Sequence, residues 1–102
     1  MTIQQINNFQ DFKKTVEGGV CIIKFTATWC GPCKKIAPKF IEFSNKFENI
    51  GFYEVDVDDS EDISQYCDIK CMPTFQAWKD GEPLYIMEGA SESELLQLLQ
   101  KI

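Results

Sequence analysis

Val20-Cys21-Ile22-Ile23-Lys24-Phe25-Thr26-Ala27-Thr28-Trp29-Cys30-Gly31-Pro32-Cys33-Lys34 is the stretch on which the fold turns. Its first half is a nearly continuous apolar, β-rich run, which predicts a central strand covered on both faces; Lys24 is the odd member. Its second half opens a helix, since Pro32 suits a first turn and Ile36, Phe40, Phe43 and Phe47 follow at helical spacing. Pro38 falls inside that helix, deletes one backbone bond and is expected to kink it. Open α/β sheets place their sites where strands end at such junctions. Two cysteines three apart at a helix start can close a disulfide while the first, Cys30, still faces solvent. The free N–H groups and positive dipole end of the helix favour a thiolate there, each unit of pKa lowering being worth about 1.36 kcal/mol. Cys33 lies one turn inward, placed to attack a mixed disulfide on Cys30.

Working outward, Ile3 to Ile6 reads as a short strand, and Asn7 or Asn8 caps a helix with Phe9, Phe12 and Val16 on one face, stopped by Gly18-Gly19. Phe52 to Val57 alternates as a strand, and Asp59 or Ser60 caps a short helix around Ile63 and Tyr66. Thr74 to Lys79, Asp80-Gly81 and Leu84 to Met87 form a hairpin ended by Gly89. Ser91 and Glu94 have capping-box spacing before a last helix that buries Leu95, Leu98, Leu99 and Ile102. The order β-α-β-α-β-α-β-β-α predicts one mixed α/β sheet, about five strands flanked by about four helices, in a single domain over residues 1–102.

Composition narrows the chemistry. The chain has 102 residues, 44% hydrophobic, with 10 Lys against 16 acidic residues, no Arg and no His. A net charge of −6 without arginine argues against nucleic-acid binding. Without histidine there is no Ser-His-Asp triad, no Cys-His dyad and no imidazole metal ligand. No apolar run approaches the roughly 20 residues that span a bilayer, and the N-terminus lacks the pattern of a secretory signal, so no membrane partner is expected. Five cysteines at uneven spacings (Cys21, Cys30, Cys33, Cys67 and Cys71) fit a reducing, cytoplasmic setting better than a secreted scaffold. Zinc would need Cys67 and Cys71 to join Cys30 and Cys33, and Pro32 at a helix start speaks against that. Cys21 reads as core filler and Cys67 as structural. The acids Asp56, Asp58, Asp59, Glu61 and Asp62 read as a solvated strand end rather than a cation site.

Trp29-Cys30-Gly31-Pro32-Cys33-Lys34, followed by Met72-Pro73-Thr74 and Gly89-Ala90, resembles the thioredoxin family over essentially the whole chain, and Cys67 and Cys71 resemble its animal-type cytosolic branch. The resemblance implies a general protein-disulfide reductase with Cys30 attacking and Cys33 resolving. It also implies a cis Pro73 against the disulfide, and a substrate groove of Trp29, Gly31, Pro32, Met72, Pro73, Thr74, Gly89 and Ala90. Asp58 is expected to accept a bond from the Trp29 indole. No bound cofactor is implied; electrons would come from NADPH through a flavin-dependent thioredoxin reductase. Substrates would be disulfide-containing proteins such as peroxiredoxins or ribonucleotide reductase. The chain is expected to be a monomer that oxidation links into a dimer through an accessible, regulatory Cys71. A disulfide isomerase or oxidase of the same fold, or a docking subunit without turnover, are the alternatives.

One position departs from the family. A buried aspartate normally stands six residues before the first cysteine and relays a proton for the second; this chain has Lys24 there. The matching position on the neighbouring strand is Glu54, so an exchanged charge pair is expected, with a lysine that snorkels to water as the plainer reading.

Overall fold

The computed structural model describes residues 3–102. Five strands, β1 (Gln4–Gln5), β2 (Val20–Thr26), β3 (Gly51–Asp56), β4 (Thr74–Lys79) and β5 (Glu82–Glu88), form one sheet in the order β1-β3-β2-β4-β5. The first three are parallel and the hairpin β4–β5 runs antiparallel. Four helices cover the sheet: α1 (Phe9–Glu17), α2 (Gly31–Lys46), α3 (Glu61–Tyr66) and α4 (Glu92–Lys101). β2 is central, paired with β3 on one side and β4 on the other, and its run of five consecutive buried residues is one that both faces must cover.

Alternation along β2 divides the core. Ile23 and Phe25 pack with Phe12, Val16, Val55, Ile63 and Trp78 beneath α1 and α3. Ile22 faces the other way, into Ile36, Phe40, Phe43, Phe52, Phe75 and the α4 leucines. The Phe40 ring lies 5.2 Å from Phe52 and 5.4 Å from Phe75, centroid to centroid, so α2 is anchored across β3 and β4 at one point. Full burial of such a ring contributes roughly 1.5–3 kcal/mol. Lys24 shares Ile22's face, two residues on, and is therefore carried into the α2 side of the core.

Local signals set the boundaries. Asn8 accepts the Asp11 amide at 2.8 Å and caps α1, and Ser91 accepts the Glu94 amide at 3.3 Å and caps α4. Asp80 and Gly81 both have positive φ, 51° and 88°, the pair of left-handed residues that a two-residue hairpin turn requires. Elsewhere the boundaries move. β1 is reduced to Gln4–Gln5, though the Ile6 amide still donates to Glu54 O, and β3 lies one residue earlier than the alternation places it. α2 ends at Lys46 with Phe47 as its cap, and Pro38 lies inside it. Ser60 precedes α3 without capping it through its side chain; Asp62 Oδ1 accepts the Ile63 amide, and Asp56 Oδ1 accepts those of Asp58 and Asp59. Among the described residues no helix is long and apolar enough to cross a membrane.

Candidate active site

β2 ends at Thr26, and four residues later the chain turns into α2 with Cys30 as N-cap. Cys30 Sγ accepts the Cys33 amide at 3.2 Å, the role a serine or aspartate side chain usually plays. Its sulfur thus lies on the helix's free N–H groups, where negative charge is favoured. Cys30 and Cys33 are joined by a disulfide, with their Cα atoms 5.3 Å apart. Reduction returns one sulfur to an amide donor at a dipole's positive end, and both factors favour its thiolate.

Cys30 is less accessible than its place on the turn predicts. It is 4% exposed and Cys33 is 1% exposed. The cause is local packing: both cysteines cluster with Ala27, and Met72 and Val57 close over them. The exposed surface beside the pair belongs to Trp29, Gly31 and Pro32, Trp29 being 65% exposed.

The expected neighbours come together from distant segments. The Met72-Pro73 peptide is cis, and Met72 packs on the cysteine cluster. Pro73 O accepts the Gly89 amide at 2.9 Å, which ties the loop before β4 to the residue after β5 and sets half-buried Ala90 beside it. Thr74 Oγ1 donates to Cys71 O at 2.6 Å and is buried, so it fixes the loop from within. The Trp29 indole N–H donates to Asp58 Oδ2 at 2.8 Å, which holds an otherwise exposed ring in one orientation.

The other cysteines separate by burial. Cys21 lies in the core, where burial outweighs a backbone hydrogen bond at Trp78 and pushes its thiol up to about 11. Burial pushes half-buried Cys67 up to about 12. Both are protonated and unreactive at neutral pH. Cys71 is exposed, one residue before Met72. Among the described residues no group of three or more Cys, Asp or Glu is arranged to hold a metal ion.

Lys24 is 2% exposed and does not snorkel. Parallel register sets it opposite Glu54, and its Nζ lies 3.5 Å from Glu54 Oε2. It also donates to Cys33 O at 3.0 Å and stands 5.9 Å above the Phe40 ring. Burial pushes its pKa below the ordinary lysine value, and the Glu54 charge and hydrogen bond push it back up. Gln5 Nε2 donates to Glu54 Oε1 at 2.6 Å from the neighbouring strand. No local pattern in the sequence marks the Cys33 carbonyl or the Phe40 face as partners of Lys24, or Gln5 as a partner of Glu54. Gln5 alone left a trace, since a parallel β1 brings it into register with Glu54.

A sequence model of the family described as Thioredoxin matches residues 3–101. The chain is 47% identical over 102 residues to a thioredoxin of Coprinus comatus, covering 97% of this chain and 96% of that one. It is 41% identical to a human thioredoxin over 96 residues, 91% of each chain. Among solved structures it resembles Plasmodium falciparum thioredoxin at a TM-score of 0.95 and 34% identity, over 97% of this chain and 98% of the other.

Proposed function

This chain belongs to the thioredoxin family and is a protein-disulfide oxidoreductase that cycles Cys30 and Cys33 between dithiol and disulfide; we propose that Cys30 is its attacking thiol and Cys33 its resolving thiol. The Cys30 thiolate bonds to one sulfur of a substrate disulfide, and the other substrate sulfur leaves as a thiolate. Cys33 then attacks the Cys30 sulfur, which frees the reduced substrate and leaves the Cys30–Cys33 disulfide. One observation carries the assignment: the Cys33 amide is aimed at Cys30 Sγ at the helix start, so an anion there is stabilised in place.

The groove reading places an extended substrate segment across Trp29, Gly31, Pro32, Met72, Pro73, Thr74, Gly89 and Ala90, with Asp58 holding the tryptophan. Regeneration in this reading draws on NADPH through a flavin-dependent thioredoxin reductase, and the substrates include disulfide-bearing proteins of the peroxiredoxin or ribonucleotide reductase kind. The whole chain acts as one domain and as a cytoplasmic monomer, which three free cysteines beside one redox disulfide support. No residue at the site favours an isomerase, an oxidase or a docking subunit without turnover. Insulin-disulfide reduction driven by NADPH and a thioredoxin reductase tests the proposal. Turnover lost in Cys30→Ser supports it, and turnover retained in that variant refutes it.

A further inference from the structure

β5 is an edge strand: it pairs with β4 on one side, and among the described residues no other segment hydrogen-bonds to its far side. The direction of its backbone groups follows from one bond. The Gly89 amide donates to Pro73 O, and the antiparallel register repeats that kind of rung at Met87 opposite Phe75 and Tyr85 opposite Ala77. Alternation then turns the N–H and C=O of Ile86 and Glu88 away from the sheet. Toward the hairpin the edge is closed, since Pro83 has no N–H and the register shifts between Ala77 and Trp78. The edge left open for pairing is the stretch that leads into Gly89 and Ala90.

This stretch is apolar where sheet edges are usually charged. Leu84, Tyr85 and Ile86 are consecutive exposed side chains, Ile86 at 63%. Each face of the edge has its own cleft. One of about 320 Å³, on the α3 side, is bordered by Tyr66, Gln76, Trp78, Pro83 and Ile86. The other, of about 470 Å³ against α4, is bordered by Tyr85, Leu98, Glu88, Glu94 and Lys101. Lys101 Nζ stands 5.5 Å from the Tyr85 ring, and neither Glu88 nor Glu94 has an ion-pair partner among the described residues. The α4 cleft thus offers two uncompensated carboxylates beside an apolar floor.

We propose that the open edge of β5 docks an extended, cationic segment of a disulfide-bearing substrate protein as an added strand, at a site separate from the groove beside Cys30. Strand geometry fixes the chemistry of that segment. Ile86 shares a face with Gln76, its partner on β4, so a residue set opposite Ile86 points into the α3-side cleft between Tyr66 and Trp78 and is aliphatic. Its two neighbours point toward α4 and are Lys or Arg. A second copy of this chain fits poorly. Antiparallel pairing centred on Tyr85 sets Glu82 opposite Glu88 at both ends, and each chain carries a net charge of −6. The proposal rests on the reading of this chain as a disulfide reductase and adds a class of substrate to it.

Two probes test it on the full chain. A cysteine-free peptide of alternating valine and lysine, and its counterpart with glutamate for lysine, are titrated against isotope-labelled protein. The lysine peptide should slow amide hydrogen exchange at Ile86 and Glu88 at least about fivefold, and the glutamate peptide should not. Ile86→Lys, on the exposed edge, should weaken that binding at least about tenfold, and Glu94→Gln about threefold. Reduction rates then tie docking to turnover. A small disulfide peptide joined to the valine–lysine segment by a ten-residue glycine–serine linker, roughly 16–19 Å end to end, should be reduced at least about fivefold faster than the same peptide without the segment. That span exceeds the roughly 10 Å of extended strand from Ile86 to Gly89. Ile86→Lys should erase the advantage. Equal rates for the two substrates overturn the proposal, as does equal binding of the glutamate peptide or protection confined to the groove. Protection at Ile86 that rises with protein concentration and needs no peptide would assign the edge to a second copy and overturn it too. If neither substrate is reduced, the redox reading fails; the titration needs no cysteine and decides the docking separately.

Discussion

Lys24 and Glu54 form one ion pair but are unequally buried, so removing either one should have unequal consequences. Glu54→Gln leaves an ammonium that is 2% exposed, with the Cys33 carbonyl and the Phe40 face as its remaining partners. Stripping one member from a buried pair costs about 3–5 kcal/mol, and the low end applies because burial already pushes this lysine toward its neutral form. Lys24→Met instead leaves a carboxylate that reaches solvent and keeps its bond from Gln5. The methionine fills an apolar site under Phe40, and the net change should stay within about 1 kcal/mol of zero. At roughly 4–8 °C per kcal/mol for a chain of this size, the expected drop in Tm is about 12–24 °C for Glu54→Gln and less than about 8 °C for Lys24→Met. The pH dependence has a definite sign. A lysine whose folded pKa lies below its unfolded value burdens the fold fully below the folded value, and is relieved as pH rises toward the unfolded one. The deficit of Glu54→Gln should therefore shrink as pH is raised toward about 10. Urea and thermal unfolding of both variants, at neutral and alkaline pH, measure all of this. Equal losses in the two variants, or a larger loss in Lys24→Met, would refute the reasoning.

Three further outcomes are expected. Cys21 holds its proton in the fold up to about 11 but releases it near 9 when unfolded, so stability should fall between those values by on the order of 2–3 kcal/mol; Cys21→Ala should flatten that part of an alkaline unfolding curve, and an unchanged slope would place the titration elsewhere. A Cβ at Gly31 meets nothing within 4 Å, so Gly31→Ala should leave stability within about 0.5 kcal/mol or raise it, while altering kcat/KM for a protein disulfide by projecting into the groove; a loss of stability with kcat/KM intact would contradict the groove. Peroxide should produce a disulfide-linked dimer of the full chain on non-reducing gels and none in Cys71→Ser, whose one exposed free thiol has been removed; a dimer that persists in the variant would exclude Cys71.

Much of this was legible because its signals are local. The apolar run at Val20–Thr26, the turn pair Asp80-Gly81 and the caps at Asn8 and Ser91 each depend on a few neighbouring residues, and each fell where its pattern placed it. The Lys24–Glu54 pairing was legible for a different reason: two consecutive parallel strands with matched hydrophobic faces leave one register, and it sets the two side chains opposite one another. What escaped the sequence depends on contacts between distant segments. Cys30 is closed over by Met72 and Val57, which stand 42 and 27 residues further along, and no property of the turn itself reports them. β1 owes its two-residue length to its partner β3, and Gln5 reaches Glu54 through that pairing alone. α3 starts after Ser60, one of the two caps its sequence offers, but the Ser60 side chain caps no amide; Asp62 accepts the Ile63 amide instead, because several neighbouring oxygens compete for that task.

The central claim is that Cys30 attacks and Cys33 resolves. Mixing reduced Cys33→Ser with a disulfide-bearing protein, quenching with acid and mapping the adduct by peptide mass spectrometry tests it most directly. The account predicts a stable mixed disulfide on Cys30, released by added dithiol. An adduct on Cys71 alone, or release of reduced substrate at the unsubstituted rate, would contradict it.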